Sequence, residues 1–129
     1  MGLLLSLHGA LVWPIWIVGG LAMIWGASLL VRKRGIDQTM RYLLWGTAGL
    51  GILQGIVGGL MWLLGCTPHD NLHYVYGLLV LAAVPVAFTY ADNKSARRDM
   101  IVFVIAAVVV VAAAVRAFMT GPGGVCLAH

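Results

Sequence analysis

The chain contains no glutamate, and charged residues of any kind are scarce. Among its 129 residues the four Asp are the only acids, 9% of the residues are charged, 62% are hydrophobic, and the mean hydropathy is +1.00. A soluble domain carries roughly 25% charged residues. The composition therefore excludes a soluble domain, and so few acids leave little material for a proton relay.

The motifs of several large function classes are missing as well. The sequence has no Cys-x-x-Cys, no Cys-x-x-Cys-His, no phosphate-binding loop and no Ser-His-Asp arrangement in one place. These absences remove the usual signals of thiol redox, nucleotide and serine-hydrolase chemistry. The positive charges form no basic face, so no nucleic-acid partner is expected.

Four long apolar runs make up most of the chain. Each has about 20 residues or more, and at about 1.5 Å per residue a helix of that length crosses a hydrocarbon core of about 30 Å. The first run is too long for a cleaved signal peptide and has no basic residues before it. We predict an all-α integral membrane four-helix bundle in a single domain, residues 1–129, with a flexible outer tail at 120–129. The predicted helices cover residues 3–31, 42–65, 69–90 and 99–119.

The Lys and Arg residues indicate how the helices are oriented. Seven of the eight lie between the first two helices or between the last two: Arg32, Lys33, Arg34, Arg41, Lys94, Arg97 and Arg98. Because cytoplasmic loops are rich in Lys and Arg, these two loops are expected inside. Both termini and the loop 66–71 are then expected outside, in a multi-pass protein of the cell (inner) membrane that is surrounded by the lipid bilayer.

Two histidines are expected at the same depth near the outer face. His8 and His73 lie near the outer ends of the first and third helices, each within roughly 10 Å of the outer boundary at helical rise. Neutral imidazole is a common metal ligand, and two imidazoles can hold one heme iron. We predict that His8 and His73 are axial ligands of heme b, against the plainer interpretation that each bonds a neighbouring helix. Arg116 lies on the same side, where its cation suits the heme propionates.

His69 is a weaker candidate ligand, one turn before His73 on the same predicted helix face. We prefer His73 because it lies deeper in the apolar segment, where a polar side chain has greater need of a partner. Gly77, one turn beyond His73, is expected to leave space on that face.

The second helix carries a stripe of small residues around one amide. Residues three and four apart share a helix face, and those on this stripe are Gly51, Gln54, Gly55, Gly58, Gly59 and Trp62. Close helix packing explains the glycines. It does not explain Gln54, whose amide needs a partner inside a membrane. A flat cofactor would use such a wall, so we assign Gln54 and the glycines after it to cofactor binding.

The two cysteines, Cys66 and Cys126, are both expected on the outer side. There they are either bonded to each other, because disulfides persist in oxidising compartments, or two unpaired thiols. With His69 and His129 they also offer sulfur and imidazole ligands of the kind that copper and zinc prefer.

One stretch of the chain resembles one half of the heme A synthases. The resemblance covers residues 51–81, and it is carried by Gln54-Gly55-Ile56-Val57-Gly58-Gly59-Leu60, by Pro68 in the short loop and by Leu72-His73. It implies half of an eight-helix fold, with heme held between histidines of two helices, here His8 and His73. A cysteine pair in the outer loops is similar to a feature of that family, which favours the bond between Cys66 and Cys126.

The surroundings of His8 depart from the family pattern. The heme A synthases have a Glu before and an Arg after the corresponding histidine, where this chain has Leu5 and Gly9. Oxidation of a heme methyl group is therefore not expected. Two copies of the chain could assemble as the two halves of that family do, which makes a homodimer one open assembly.

Three function classes remain open from the sequence. The protein is a small b-type cytochrome that handles heme or exchanges electrons with quinol, an accessory subunit of a larger membrane complex, or a copper- or zinc-binding membrane protein without heme. The first class is preferred because it uses both intramembrane histidines. Whether any reaction is catalysed is left open.

Overall fold

The structure, a computed structural model, describes residues 2–126. In chain order its elements are α1 (Gly2–Ala10), α2 (Val12–Val31), α3 (Gln38–Leu63), β1 (Cys66–Thr67), α4 (Leu72–Tyr90), α5 (Ala96–Thr120) and β2 (Val125–Cys126). The third membrane helix thus begins at Leu72, three residues after the expected start at His69. The residues before it are used by β1 and by a turn.

Four helical units are long and apolar enough to cross a membrane. α1 and α2 together form a unit of 30 residues, and α3, α4 and α5 have 26, 19 and 25 residues. At about 1.5 Å per residue even α4 is about 28 Å long, close to the thickness of a hydrocarbon core. Large apolar side chains on every unit are more than half exposed, including Leu3, Ile17, Trp45, Leu78 and Ile105. The prediction of an all-α bundle of four candidate membrane spans is confirmed.

The first membrane helix is interrupted at Leu11. Pro14 has no N–H to donate to the carbonyl of Ala10, and its ring crowds that same carbonyl. α1 accordingly ends at Ala10, while the N–H of Ile15 donates to the carbonyl of Leu11 at 3.3 Å and continues the helix. His8 lies in α1, three residues before this break.

The helical units pack around a common axis. α2 packs against α3 and α5, and α4 packs against the same two helices, so the first unit and α4 lie on a diagonal of the bundle. The largest fully buried side chains come from all four units: Ile15, Leu29, Met40, Leu44, Thr47, Val84, Met100 and Val110. Side chains from α2 and α4 therefore both reach the buried centre of the bundle.

Two aspartates organise the end of the bundle that carries residues 32–37 and 91–95, called the basic end here. Asp37 caps α3 by accepting from the N–H of Met40 at 2.8 Å, and it accepts from the indole N–H of Trp25 at 3.0 Å. The Met40 bond, with a further contribution from Trp25, lowers the pKa of Asp37 against an opposing effect of burial. Asp99 is buried and accepts from two backbone N–H groups of the α4–α5 loop.

A disulfide closes the opposite end, called the disulfide end here. Cys66 in β1 is bonded to Cys126 in β2, and the two strands pair antiparallel with these residues directly opposite each other. Of the two states left open by the sequence, the structure has the bonded one. Before β2, the carbonyls of Thr120 and Gly121 accept from the N–H groups of Asp70 and His69 at 3.1 and 3.4 Å. The segment up to Cys126, for which the sequence predicts a flexible tail, thus lies against the α3–α4 loop.

Candidate functional site at the disulfide end

The structure brings the imidazoles of His8 and His73 together near the disulfide end. Their ring centroids are 5.9 Å apart, and the ring planes are inclined by 61°. The rings come from α1 and α4, the two diagonal helices, and both side chains are partly buried. Sequence separation gives no hint of this contact, since 64 residues, including all of α2 and α3, lie between the two histidines.

The backbone of α5 determines which nitrogen of His73 carries the proton. Nδ1 of His73 lies 2.8 Å from the carbonyl oxygen of Ala117, and a carbonyl can only accept, so Nδ1–H is the donor. The hydroxyl of Thr120, 3.4 Å from the same nitrogen, donates back to the carbonyl of Arg116 at 2.9 Å. Nε2 of His73 is then the nitrogen with a free lone pair. Histidine ligands of metals are usually held by such a bond from the other ring nitrogen.

His8 is held through its backbone and through packing. The Gln54 side chain donates from Nε2 to the carbonyl of His8 at 2.9 Å, next to the helix break at Leu11. A Cβ placed on Gly58 would lie 3.1 Å from Cε1 of His8, so the ring lies against bare backbone. Within the described residues, Nδ1 of His8 and Oε1 of Gln54 are buried and have no hydrogen-bond partner. Buried polar atoms without a partner are uncommon and call for a ligand or a water.

The glycine stripe of α3 faces three different neighbours. A Cβ on Gly51 would lie 2.7 Å from the carbonyl oxygen of Val80, and one on Gly55 would meet the Leu81 side chain at 3.3 Å. These two glycines allow α3 and α4 to approach closely, as small residues do between membrane helices. Gly58 instead faces His8. The stripe therefore serves helix packing at one end and the histidine pair at the other.

Open space lies beside the histidine pair. A Cβ on Gly59 in α3 or on Gly77 in α4 would meet nothing within 4 Å. Both glycines are exposed. Gly77 is one turn beyond His73, so this space adjoins the face of α4 from which the imidazole projects.

The other two predicted site residues lie at the edge of the pair. His69 is exposed and precedes α4, where its ring lies beside Gly123 of the tail. Arg116 is exposed on α5, with its guanidinium 5.6 Å from the centroid of the Tyr76 ring. It directly precedes Ala117, whose carbonyl holds His73.

Sequence reasoning missed the contribution of α5 to this site. Ala117 acts through its carbonyl and Thr120 through its hydroxyl, and neither stands out in a run of Val and Ala. Gly121 belongs to the predicted flexible tail, yet a Cβ there would lie 2.9 Å from Cε1 of His73. A glycine directly after a helix that ends near the outer face is the one signal that the sequence offered.

Two imidazoles offer two ligand nitrogens to one metal ion. First-row metal ions bind imidazole nitrogen at about 2.0–2.1 Å, so two imidazoles on opposite sides of one ion have ring centroids roughly 6 Å apart. The observed 5.9 Å, at an inclination of 61°, is near this separation and is also that of an ordinary edge-to-face ring contact. Among residues 2–126 no group of three or more His, Cys, Asp and Glu is close enough to hold a metal. Two imidazoles alone leave the remaining coordination positions to a group such as a porphyrin.

The alternative copper or zinc site has fewer ligands than the sequence suggested. Metals bind the thiolate form of cysteine, and Cys66 and Cys126 share a disulfide. His69 lies beside Gly123 of the tail, and it belongs to no group of three or more potential metal ligands within residues 2–126. His129, the fourth proposed ligand, lies outside the described residues.

No protein-family model matches the chain, and neither a curated protein nor a solved structure matches it.

Proposed function

We propose that this protein is a small membrane cytochrome that binds heme b between His8 and His73. The observation that supports it most is the 5.9 Å separation of two imidazoles from diagonal helices. One iron between two imidazoles would place the ring centroids roughly 6 Å apart, and an ordinary edge-to-face contact of two rings spans the same range. A hydrogen bond between two helices would need only one such ring.

Each neighbouring residue has a definite role in this proposal. The Ala117 carbonyl orients His73 so that Nε2 is the ligand atom. Gln54 holds the His8 backbone, and Gly58 lets the His8 ring lie against α3. The open space at Gly59 and Gly77 is where the ring system would lie, while Gly55 packs against Leu81 of α4.

Charge and apolar packing complete the site. Arg116 directly precedes Ala117, the residue whose carbonyl holds His73, and its guanidinium lies 5.6 Å from the centroid of the Tyr76 ring. It would offer a cation to the heme propionates. Leu11, Val57 and Met61 form a buried apolar cluster with Cys66 at this end of the bundle. Such a cluster keeps water from the face of the site that points into the bundle.

Bound heme supplies reversible one-electron transfer. His8 and His73 would hold the iron, which suits electron or heme handling, with quinol as one electron partner. Oxidation of the heme itself, as in the heme A synthases, is not part of the proposal. That family has a Glu before its histidine, and the present chain contains no Glu at all.

We also propose that the disulfide end faces the outside of the cell membrane. Seven of the eight Lys and Arg residues lie at or beside the basic end, and such residues concentrate on the cytoplasmic side. A disulfide persists in oxidising compartments outside the cytoplasm, which agrees with this orientation.

Visible absorption spectra of the purified protein, oxidised and dithionite-reduced, test the heme proposal. Protein made with ample heme should show a Soret shift and an alpha band on reduction. His8→Ala and His73→Ala should each lose them, because one remaining imidazole cannot ligate both sides of the iron. His69→Ala is the matched control, since it removes an exposed imidazole one turn away and should leave the spectrum intact.

Two results would contradict the proposal. One is protein without heme despite ample supply. The other is heme retained by both His8→Ala and His73→Ala. A spectrum lost only in His69→Ala would move the site to the loop before α4.

A further inference from the structure

The basic end of the bundle contains a cavity that the heme site does not use. It has a volume of about 180 Å³ and lies between the end of α2 and the start of α5. Its lining residues are Leu30, Lys33, Arg34, Ala96 and Arg97. Water occupies about 30 Å³ per molecule, so the cavity has room for a phosphate group and its nearest waters.

The lining is cationic and contains no acid. Lys33, Arg34 and Arg97 supply three positive charges, and the other two lining residues are apolar. Within the described residues, the ion pairs at this end both belong to Arg98, which contacts Asp92 at 2.9 Å and Asp99 at 3.7 Å. All three are exposed, so water and salt screen much of their mutual repulsion, and an anion between them would relieve the remainder.

The remaining acid of the basic end is also engaged elsewhere. Asp37 accepts from the Trp25 indole and from the backbone of α3. Among the described residues, the three aspartates of the basic end therefore do not pair with the three cavity cations. The charge of these cations fits an anion from outside the chain.

The backbone at the cavity adds to this preference. Lys33 has φ of 56°, and the turn there brings Gly35 next to the start of α5, where a Cβ on Gly35 would lie 3.4 Å from that of Ala96. Ser95 caps α5 by accepting from the N–H of Arg98. The N–H groups of Ala96 and Arg97, in the first turn of α5, have no acceptor within the helix. They and the helix dipole favour an anion at the same place as the cations.

We propose that this cavity binds a phosphate group, with an anionic phospholipid headgroup as its source. Arg guanidinium groups bind phosphate through paired hydrogen bonds. Leu30, in the last turn of α2, lies beside the cations. The cavity therefore stands at the boundary between the apolar helices and the polar surface, the level at which a lipid phosphate lies. Basic pockets between membrane helices recognise lipid headgroups in this way. The proposal does not depend on heme.

Lipid binding to the full-length protein tests the proposal. Phosphatidylglycerol and, separately, inorganic phosphate are titrated into protein in a neutral detergent, with native mass spectrometry and thermal melting as readouts. The double variant Arg34→Gln/Arg97→Gln removes two cavity charges. Its matched control, Arg41→Gln/Lys94→Gln, removes two exposed charges from the same end that do not line the cavity.

We expect the cavity variant to bind phosphatidylglycerol about 25-fold more weakly, since each Lys or Arg near an anionic lipid is worth about fivefold in affinity. The control variant should lose less than about twofold. Arg34→Lys/Arg97→Lys, which retains both charges, should keep most of the affinity. If the double Gln variant does not fold, Lys33→Gln and Arg97→Gln alone should each lose about fivefold.

Equal losses in the cavity and control variants would overturn the proposal, because the lipid would then respond to diffuse charge only. Failure of the wild-type protein to bind either ligand would overturn it too. Binding of inorganic phosphate with the same dependence on the cavity residues, without binding of the lipid, upholds the phosphate site and makes its source soluble.

Discussion

The contact between Gly58 and His8 offers a sharp test of the site. Gly58→Ala adds one methyl group, whose carbon would lie 3.1 Å from Cε1 of the imidazole, where ordinary contacts begin at about 3.4 Å. The ring must therefore retreat by about 0.3 Å. It cannot do so freely, because Gln54 holds the backbone of His8 and the His73 ring lies on another side.

The magnitude follows from two opposing effects. Overpacking a fitted contact costs about 1–3 kcal/mol, and replacing Gly by Ala inside a helix gains up to about 1 kcal/mol. Gly49→Ala in the same helix is the matched control, since a Cβ there meets nothing within 4 Å. The free energy of unfolding of Gly58→Ala should therefore fall below that of Gly49→Ala by about 1–3 kcal/mol. A heme held by the displaced ring should bind about tenfold more weakly, which corresponds to about 1.4 kcal/mol.

Two measurements on the same proteins check these figures. Heme titration followed by absorbance gives the affinity, and denaturant or thermal unfolding of the heme-free protein gives the stability. If Gly58→Ala binds heme as the wild type does and is as stable as Gly49→Ala, the reasoning is refuted. If stability falls while heme affinity is unchanged, the packing is right and the ligand role of His8 is wrong.

Three further predictions concern helix packing, the disulfide and the cap of α3 at the basic end. Gly51→Ala should destabilise the bundle by about 1–3 kcal/mol in detergent unfolding, because its Cβ would lie 2.7 Å from the backbone oxygen of Val80, which cannot rotate away. Cys66→Ala/Cys126→Ala should lower the free energy of unfolding by about 4 kcal/mol on the chain-entropy account of a 60-residue separation, measured with and without reductant. The pKa of Asp37 is lowered in the folded protein, so its contribution to stability is complete above the ordinary value near 3.8 and is lost as the pH falls through the lowered value. Melting temperatures of wild type and Asp37→Asn from pH 7 to pH 3 should therefore converge at the acid end.

Each of these predictions has its own contrary result. For Gly51→Ala it is a stability equal to that of Gly49→Ala. For the cysteines it is a melting temperature of the wild type that reductant leaves unchanged. For Asp37 it is a difference between wild type and variant that widens as the pH falls.

The membrane architecture follows largely from the sequence alone. Four apolar runs separated by short polar loops admit one architecture in a membrane, because every backbone polar group must be bonded within a helix. That is why the all-α four-helix bundle was predictable. Two membrane helices lie between Cys66 and Cys126, so both cysteines are at the same end of the bundle. Only the structure shows them bonded.

The arrangement inside the bundle depends on the tertiary structure. Periodicity put Gly51, Gln54 and Gly58 on one stripe, but two helices, α1 and α4, meet that stripe, and only packing decides which residue faces which neighbour. The amide of Gln54 reaches a carbonyl freed near the helix break, and His73 bonds the backbone of α5. Backbone carbonyls leave no trace in a sequence, so neither partner was predictable.

For the histidine pair the division is equally clear. The sequence determined that His8 and His73 lie near the same end of helices that run in the same direction, since helical rise and loop charges follow directly from residue order. Only the tertiary structure decided that their helices lie on a diagonal and that the two rings meet at 5.9 Å. The physical reason is that depth is set along one helix, whereas a distance across the bundle depends on how all four helices pack.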